Sequence, residues 1–384
     1  MNKDQKQFFA LLRSGLWNTP VDKTLFYGST DWEVVFKQAK HQTVLGLIVD
    51  GINTMPTNIQ PPKELLCKMR GKVLLSIRTH AQMNSVLAEV ITSLQEKGFC
   101  PILLNGQGMA MNYLEPTRRQ CGDIDLYIGK QEYERARAFV IERYRSDDNV
   151  SESQKHYHFT YKGVVIQLHR IAESLPIPWQ NTRFQNWSEK HLHQSNLRSV
   201  QLGSTEIKLP PIDFDAIYIF NHAWHHFSAG GGIGLHQLCD WVRYLHKYHH
   251  EINLVELECH LKAFGLWRAW RIFGYIAVNV LGLSRTKFPF YTPKYTFYGC
   301  NILNMIEEEG NFGIFNFQKE DRPKGYLLGK IQSFKWIHKR LRRLLPIFTI
   351  QTSAIWMNYI YVLFKELLLQ QPSVIRIIRN SLNK

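Results

Sequence analysis

Two aspartates separated by one residue form the pattern in this sequence that is best suited to chemistry. Asp123 and Asp125 stand in the segment Asp-Ile-Asp-Leu-Tyr-Ile-Gly, in which polar and apolar residues alternate. Alternation predicts a half-buried β-strand, and strand residues two apart project from the same face of a sheet. Crowded carboxylates suit Mg²⁺, which typically takes one or two carboxylates together with substrate phosphates. Two such ions can activate an attacking oxygen and stabilise a leaving pyrophosphate, so the pair predicts a Mg²⁺ site of one or two ions.

A glycine turn precedes this strand and follows the apolar run 99–104, which predicts a short buried strand. Because the turn leads into a short predicted helix over 109–114, its backbone N–H groups would come close to a bound phosphate. Two consecutive arginines further along the chain would add charge-assisted hydrogen bonds to the same anion. The predicted phosphate contacts are Gly106, Gln107, Gly108, Arg118 and Arg119.

The order of these motifs resembles the nucleotidyltransferase superfamily, whose signature is a glycine turn followed by an acidic pair on the next strand. More specifically, the sequence is similar to a family of uncharacterised bacterial nucleotidyltransferases. The similarity covers most of residues 30–280, and the stretch 103–128 is its most specific part. The resemblance implies that Asp123 and Asp125 are catalytic Mg²⁺ ligands and that Gly106 and its neighbours contact the phosphates of a nucleotide such as ATP.

Two positions depart from the pattern of this family. Asn105 stands where members usually carry a lysine before the glycine, so one cation is missing from the phosphate side. The resemblance places the third acid of the catalytic set at Gln167, whose amide can coordinate a metal but cannot act as a general base. His169, on the same face of that strand, could take the proton or serve as a structural hydrogen-bond partner, and Glu173 is a further candidate acid.

A histidine cluster is the second candidate for chemistry. His222, His225 and His226 share one face of a predicted helix, a spacing that can bind zinc. Aromatic residues between and beside them favour a packed helix junction instead. In that interpretation His222 and His226, together with His169, line the acceptor side of a cleft between domains, where a ligand is expected.

The predicted elements place these residues in an α+β fold, a nucleotidyltransferase-like small mixed sheet with flanking helices. Helices precede this sheet, and a helical domain follows it. Inside the sheet domain, residues 158–161 and 164–169 predict a hairpin, and beyond it residues 254–283 predict one long helix. The predicted divisions are an N-terminal helical segment over 1–98, the α+β domain over 99–210, a helical domain over 211–320 and a basic helical segment over 321–384.

The positive charge of the chain is concentrated at one end. The formal net charge is +15, and residues 322–384 hold 12 Lys/Arg and one acid, against 35 Lys/Arg and 31 Asp/Glu in the rest. Residues 344–364 carry no charge, so this segment is either a helix packed on the protein, a peripheral contact with an anionic membrane through 335–364, or a membrane span. RNA binding by the basic stretch is a further alternative, although no RNA-binding motif accompanies it, and nucleic acid is therefore not the expected partner.

These patterns predict a Mg²⁺-dependent nucleotidyltransferase that moves a nucleoside monophosphate from an NTP to an acceptor hydroxyl and releases pyrophosphate. The acceptor is a small molecule, a glycan or a peptide. The alternative is a catalytically impaired protein of the same fold that binds a nucleotide or a partner, at the membrane surface in one version. The charged N-terminus lacks a secretory signal, and the six cysteines form no metal-binding or disulfide pattern. Both features predict a cytoplasmic protein, at the inner face of the membrane if the basic segment binds lipid.

Overall fold

The computed structural model describes residues 1–144, 155–229, 231–313 and 326–368 of the 384-residue chain. In this part of the chain helices surround a single mixed β-sheet. The strands are β1 (Ile102–Leu103), β2 (Asp123–Tyr127), β3 (His156–Tyr161), β4 (Val164–His169), β5 (Arg198–Leu202) and β6 (Thr205–Leu209). The helices are α1 (Lys3–Trp17), α2 (Trp32–His41), α3 (Leu45–Asn53), α4 (Lys63–Glu96), α5 (Gln107–Ala110), α6 (Tyr133–Tyr144), α7 (Pro178–His191), α8 (Ile212–Ser228), α9 (Leu235–Tyr248), α10 (Leu254–Ala263), α11 (Trp267–Tyr275), α12 (Thr296–Glu309), α13 (Tyr326–Leu344) and α14 (Thr349–Leu368).

The six strands lie in the order β3-β4-β2-β1-β6-β5. Three neighbouring pairs (β3 with β4, β2 with β1, β6 with β5) are antiparallel, and two pairs (β4 with β2, β1 with β6) are parallel. In the parallel pair of β2 and β4, Asp125 lies opposite Gln167 and Tyr127 lies opposite His169. This register brings the two strands with predicted site residues side by side in the middle of the sheet. The predicted fold class, a mixed sheet with helices on either side of it in the chain, is confirmed.

One face of the sheet packs on the long helix α4 and on α6. Ile124 and Leu126 of β2 and Ile166 and Leu168 of β4 are buried in this core. Because strand side chains alternate, the residues between them point to the opposite face, which lies toward α8 and α9. The apolar residues of β2 and β4 therefore hold the polar ones in place on the other face.

The predicted long helix over 254–283 is wrong in one respect, because the chain turns between α10 and α11. Gly265 has φ +71°, a conformation that residues with a Cβ rarely adopt. A Cβ at this position would lie within 2.5 Å of the side-chain amide of Gln180 in α7. The glycine therefore ends α10 and allows α7 to pack closely against the turn.

The strands β5 and β6 form a second hairpin, which the sequence patterns did not predict. The segment Thr205–Leu209 has the period-2 pattern of a strand, since Thr205, Ile207 and Leu209 are buried and Glu206 is exposed. Gly203, at φ +62°, lies in the turn that joins the two strands. This hairpin completes the sheet on the side of β1.

Helices α13 and α14 form an antiparallel hairpin that packs on the helical part of the protein. The ring of Phe348, between the two helices, lies 4.6 Å from that of Trp224 in α8. Gln351 Nε2 donates a hydrogen bond of 2.7 Å to the carbonyl oxygen of Gly265. Within the described residues, no helix combines the length and the apolar character needed to cross a bilayer.

Candidate active site

The two aspartates of β2 project from the face of the sheet that lies toward α8 and α9. Ile124, between them, points into the opposite core and is 1% exposed. Both carboxylates line one cavity, and Asp125 lies deeper in it than Asp123, with 6% of its surface exposed. The alternation of the strand therefore brings the two acids together, as a half-buried strand requires.

Two side chains of the neighbouring strand β4 hydrogen-bond to this acidic pair. Gln167 Nε2 donates to Asp123 Oδ2 over 2.6 Å. His169 Nε2 lies 2.9 Å from Asp125 Oδ1, and because a carboxylate only accepts, the proton is on Nε2. Gln167, predicted at the third catalytic position, thus contacts the acid pair through its amide nitrogen rather than through its carbonyl oxygen. His169, predicted on the acceptor side, is a direct partner of Asp125.

The two carboxyl groups respond in opposite directions to their surroundings. Burial and the negative charge of Asp125 raise the pKa of Asp123 to about 7. Burial also acts to raise the pKa of Asp125, but the hydrogen bond and the charge of His169 outweigh it and hold that pKa below its usual range. Near neutral pH the pair therefore has one ionised member, Asp125, and one member, Asp123, that exchanges a proton.

Gly106 brings the chain after β1 close to β2. It has φ +62°, and a Cβ at this position would lie 3.0 Å from the backbone oxygen of Asp123. Both Gly106 and the preceding Asn105 line the cavity that contains the aspartates. Asn105 Nδ2 donates to Tyr218 Oη in α8 over 3.1 Å, so this residue connects the bend to the helical wall.

We expect Gly106→Ala to lower the free energy of unfolding by about 1–3 kcal/mol, because both the backbone conformation and the space are unfavourable for a Cβ. Chemical unfolding followed by circular dichroism measures this change. Gly71→Ala is the matched control, because Gly71 lies inside α4 with open space around it. We expect that variant to be up to about 1 kcal/mol more stable than wild type. Equal effects of the two substitutions would contradict the close approach at Gly106.

The other two residues of the predicted phosphate turn do not line the cavity. Gln107 Nε2 donates to Asn84 Oδ1 in α4 over 2.6 Å, so its side chain is directed to the opposite side. Gly108 packs beneath the bend, since a Cβ there would lie 3.2 Å from Leu209. Its backbone N–H donates to the carbonyl oxygen of Asn105, which occupies a donor that a phosphate would need. Gly106 is thus the member of this turn that lies next to the acidic pair.

The two predicted phosphate-binding arginines make ion pairs with other parts of the protein. Arg118 Nε lies 2.9 Å from both carboxylate oxygens of Asp50 in α3, outside the cavity. Arg119 lines the cavity, where Nε and Nη2 donate to Asp240 in α9 over 2.9 and 2.8 Å. Tyr113 Oη donates to the same carboxylate over 2.6 Å. Arg119 therefore lies at the cavity wall as one half of an ion pair, and Asp240, which lines the same cavity, balances its positive charge.

A buried glutamate organises the histidines of α8. Glu173 is 0% exposed, and its Oε2 lies 3.1 Å from His222 Nδ1 and 2.9 Å from Lys155 Nζ. His225 Nδ1 lies 3.8 Å from Oε1 of the same carboxylate. Burial acts to raise the pKa of Glu173, but Lys155, His225 and His222 together hold it well below its usual range. Glu173 is therefore ionised near neutral pH and orients His222, which lines the cavity beside the aspartates.

His226, the other predicted acceptor-side histidine of α8, lies behind His222. The two rings are 4.5 Å apart in an edge-to-face arrangement, and His226 does not line the cavity. Burial lowers the pKa of His226 to about 2, so this ring stays neutral. Among the described residues, no group of three His, Cys, Asp or Glu side chains could hold a metal ion. His226 therefore has the packing role that the aromatic neighbours indicated.

The cavity between β2 and the helices has a volume of about 370 Å³. This lies within the size range of pockets for small ligands, roughly 300–1,000 Å³. On the helical side it is lined by His236 and Gln237 of α9 and by Asn311. Gln237 Oε1 and Asn311 Oδ1 are buried without a hydrogen-bond partner among the described residues. Such atoms are expected to bind a polar ligand or water.

The carboxylate oxygens of this site fit a hard cation that takes most of its other ligands from the substrate and from water. Asp123 and Asp125 supply carboxylate oxygens, the type of ligand that Mg²⁺ prefers. Two carboxylates are also the number that Mg²⁺ commonly takes from a protein when substrate phosphates and water complete its shell. Burial, and after it the negative charge of Asp125, raise the pKa of Asp123, so its carboxylate form is disfavoured, and a cation beside the pair would stabilise that form.

Several contacts of this site were not found by sequence reasoning. Asp240, Tyr113 and Lys155 come from three separate segments of the chain and meet their partners only through tertiary packing. Arg119 and Asp240 are 121 positions apart in the chain, so no local pattern links them. For Lys155 the one available signal is its place directly before the strand β3, at the open end of a predicted hairpin.

Comparison with known proteins agrees with the resemblance read from the motifs. A family model described as an uncharacterised nucleotidyltransferase matches residues 28–282, more than half of the chain. No curated protein matches the chain. Among solved structures it is similar to an antigenic nucleotidyltransferase-like protein from Paracoccidioides brasiliensis, at 12% sequence identity and a TM-score of 0.32, over 51% of this chain and 92% of that one. The family match includes the acidic pair, the glycine bend and the helices α8 and α9, and the chain belongs to the family of uncharacterised nucleotidyltransferases.

Proposed function

We propose that this protein transfers a nucleoside monophosphate from an NTP to an acceptor hydroxyl in a reaction that depends on Mg²⁺. One observation carries the proposal: the carboxylates of Asp123 and Asp125 share one cavity with the Gly106 bend, in a chain of the nucleotidyltransferase family. In the reaction, the acceptor oxygen forms a bond to the α-phosphorus. The bond from that phosphorus to the bridging oxygen breaks, and pyrophosphate leaves.

The residues of the chain have distinct roles in this proposal. Asp123 and Asp125 would hold Mg²⁺, which when bound supplies positive charge to the phosphate oxygens. His169 keeps Asp125 ionised and fixes the orientation of its carboxylate. Gln167 fixes the orientation of the Asp123 carboxylate through the hydrogen bond that it donates. Arg119 lies at the cavity wall in its ion pair with Asp240, so the two side chains would face the phosphates as a fixed dipole and not as a free positive charge.

His222 is the best-placed acceptor for the proton of the attacking hydroxyl. Its Nδ1 is engaged by Glu173, and Nε2 has no hydrogen-bond partner among the described residues. A carboxylate that holds one ring nitrogen orients the other toward a reactant, as a general base requires. Gln167 cannot take this proton, because an amide is not a base at neutral pH. This arrangement favours entry of the acceptor from the α8 side of the cavity.

Isothermal titration with a non-hydrolysable NTP tests the proposal directly. We expect the nucleotide to bind with micromolar affinity in the presence of Mg²⁺ and at least tenfold more weakly when EDTA removes the metal. The same titration with the nucleoside alone should give no comparable heat, because the metal interacts with the phosphates. Binding that is indifferent to Mg²⁺ would contradict the proposed function.

One observation favours the alternative of a binding protein with impaired catalysis. Both carboxylates already accept hydrogen bonds from β4, in the place where the family carries a third acid. Gln167→Glu separates the two functions. If the chain is an active enzyme whose site requires the amide side chain at position 167, this substitution should lower its turnover. A protein that has lost catalysis should instead gain Mg²⁺-dependent pyrophosphate release from a zero baseline.

We expect Gln167→Glu to change the response of stability to Mg²⁺ in either case. The new carboxylate repels Asp123, so the thermal midpoint should fall by several degrees without metal, and Mg²⁺ should restore more of it than in wild type. Differential scanning fluorimetry with and without Mg²⁺ measures both effects. Gln131→Glu, at an exposed position before α6, is the control and should leave the response unchanged. Equal responses of both variants would place Gln167 outside the metal site.

The raised pKa of Asp123 predicts that Mg²⁺ binds more tightly as the pH rises. With a pKa of about 7, Asp123 must lose a proton before it can ligate the cation at lower pH. We therefore expect the affinity to be about tenfold higher at pH 8 than at pH 6. Calorimetry in two buffers of different ionisation enthalpy should detect the release of close to one proton per site at pH 6. Asp123→Asn should remove this pH dependence, and a flat profile in wild type would contradict the prediction.

A further inference from the structure

The outer side of the C-terminal hairpin combines exposed apolar and basic residues. On α14, Ile350, Met357 and Tyr361 are 67%, 65% and 63% exposed. Their spacing of seven and four residues places them on one face of the helix. On α13, Lys335, Lys339 and Arg342 are exposed. The described part of the hairpin, residues 326–368, contains seven Lys/Arg and one Glu, so it is strongly basic.

The inner side of the same hairpin is firmly attached to the rest of the protein. Arg340 forms a buried ion pair with Glu309 of α12, with distances of 2.7 and 2.9 Å. Its guanidinium group also lies 4.9 Å from the ring centroid of Phe227. Leu341, Leu344 and Phe348 are buried. Because this side is fixed by packing and by a buried charge pair, the outer side is presented in a defined orientation.

Helix geometry brings the basic and the apolar residues to the same side of the hairpin. The two helices contact each other through His338 and Trp356, whose rings are 4.7 Å apart. At 3.6 residues per turn, the three basic side chains are rotated about the axis of α13 by roughly 40–100° from His338, counted in the direction in which the chain turns. The three apolar residues of α14 lie roughly 100–140° beyond Trp356 in the same sense. Since the helices run antiparallel, equal senses of rotation lead to the same side of the pair.

We propose that this side of the hairpin, formed by Ile350, Met357, Tyr361, Lys335, Lys339 and Arg342, binds the surface of an anionic lipid bilayer. The helices would lie along the surface, with the apolar side chains among the acyl chains and the lysine and arginine head groups near the lipid phosphates. The negative potential of such a surface attracts each basic residue near it and so strengthens binding. The proposal is independent of the nucleotidyl transfer described above, because no residue of the surface lines the cavity.

A nucleic acid fits this surface less well. RNA would neutralise the lysines and the arginine, but the exposed aliphatic chains of Ile350 and Met357 have no counterpart on a phosphate backbone. A bilayer interface has both components, negative charge at the surface and hydrocarbon just beneath it. The coexistence of the two kinds of side chain on one side is therefore the observation that selects lipid.

Co-sedimentation of the full-length protein with vesicles tests the proposal. We expect binding to vesicles of phosphatidylcholine with 30% phosphatidylserine and little binding to phosphatidylcholine alone. The triple variant K335Q/K339Q/R342Q should bind the anionic vesicles at least tenfold more weakly. The double variant M357S/Y361S should also bind at least tenfold more weakly, although it retains all of the charge.

Two control variants make the same chemical changes elsewhere. K63Q/K68Q/K72Q removes three exposed charges from α4, and L254S/V255S removes exposed apolar side chains from α10. We expect both controls to bind as wild type does, and all variants should keep the wild-type circular dichroism spectrum. Equal losses in the controls, equal binding to neutral vesicles, or binding lost only in the charge variant would overturn the proposal. Retention of RNA by wild type, unaffected by M357S/Y361S, would favour a nucleic acid as the occupant instead and would equally overturn it.

Discussion

Asp125→Asn is expected to abolish the Mg²⁺-dependent part of nucleotide binding and to lower nucleotidyl transfer by roughly 10²–10³-fold. The substitution keeps the shape of the side chain, and His169 Nε2 can still donate to the remaining carboxamide oxygen. It removes the carboxylate of the pair that stays ionised near neutral pH, where Asp123 is only partly ionised. The loss therefore reports the charge that holds the cation and not the packing of β2. Calorimetric titration of a non-hydrolysable NTP, with Mg²⁺ and with EDTA, measures the binding part.

The control for this substitution is Glu206→Gln, which removes an exposed carboxylate from β6 of the same sheet. We expect that variant to bind the nucleotide as wild type does. The fold of Asp125→Asn should be intact, but its free energy of unfolding near neutral pH without Mg²⁺ should be lower than that of wild type, because the lowered pKa of Asp125 means that its ionised form stabilises the folded state through His169. Unchanged nucleotide affinity in Asp125→Asn with Mg²⁺ present would show that the metal lies elsewhere.

Arg119→Met is expected to lower the free energy of unfolding by about 3–5 kcal/mol, the cost of leaving a buried charge without its partner. The side chains of Arg119 and Asp240 are 8% and 5% exposed, and the pair is joined by two parallel hydrogen bonds. After the substitution, Tyr113 remains the hydrogen-bond donor to the Asp240 carboxylate. Chemical unfolding monitored by tryptophan fluorescence measures the loss.

The adjacent pair supplies a matched control for burial. Arg118 and Asp50 make a similar contact, but their side chains are 25% and 26% exposed. We expect Arg118→Met to lower the free energy of unfolding by about 1 kcal/mol or less, because water can solvate the Asp50 carboxylate after its partner is removed. In the double variant Arg119→Met/Asp240→Asn the orphaned charge is removed, and at least half of the lost stability should return. A similar cost for Arg118→Met and Arg119→Met would indicate that burial of the pair is not the cause.

The sequence alone was sufficient for the parts of this fold that depend on local periodicity. Alternation of polar and apolar residues predicted β2 and the β3–β4 hairpin, and the same alternation put Asp123 and Asp125 on one face. The prediction of an α+β fold with a nucleotidyltransferase-like sheet is confirmed. The β5–β6 hairpin also carried a local signal, the alternation around Thr205–Leu209 after Gly203, and it could have been found.

The parts that could not be predicted depend on contacts between distant segments. Arg119 has the charge expected of a phosphate ligand, but only the packing of α9 against the bend places Asp240 beside it. Gln167 and Asp123 are brought together by the parallel register of β2 and β4, which no pattern within either strand specifies. The roles of Arg118, Gln107 and Gly108 likewise depend on neighbours from α3, α4 and β6.

Glu173 and Asp240 have a consequence for the way a substrate enters. Each of these acids connects the segment that carries the sheet to the helices opposite, Glu173 through Lys155 and His222, and Asp240 through Arg119. Opening the two walls about a hinge would separate these ion pairs and leave a charge without a partner in a poorly solvated place. Such an opening is therefore energetically unfavourable. We therefore expect a ligand to enter through a rim that is already formed, without a prior movement of the two walls. The conformational entropy of ordering the two walls would then be lost once, during folding, and not each time that a ligand binds.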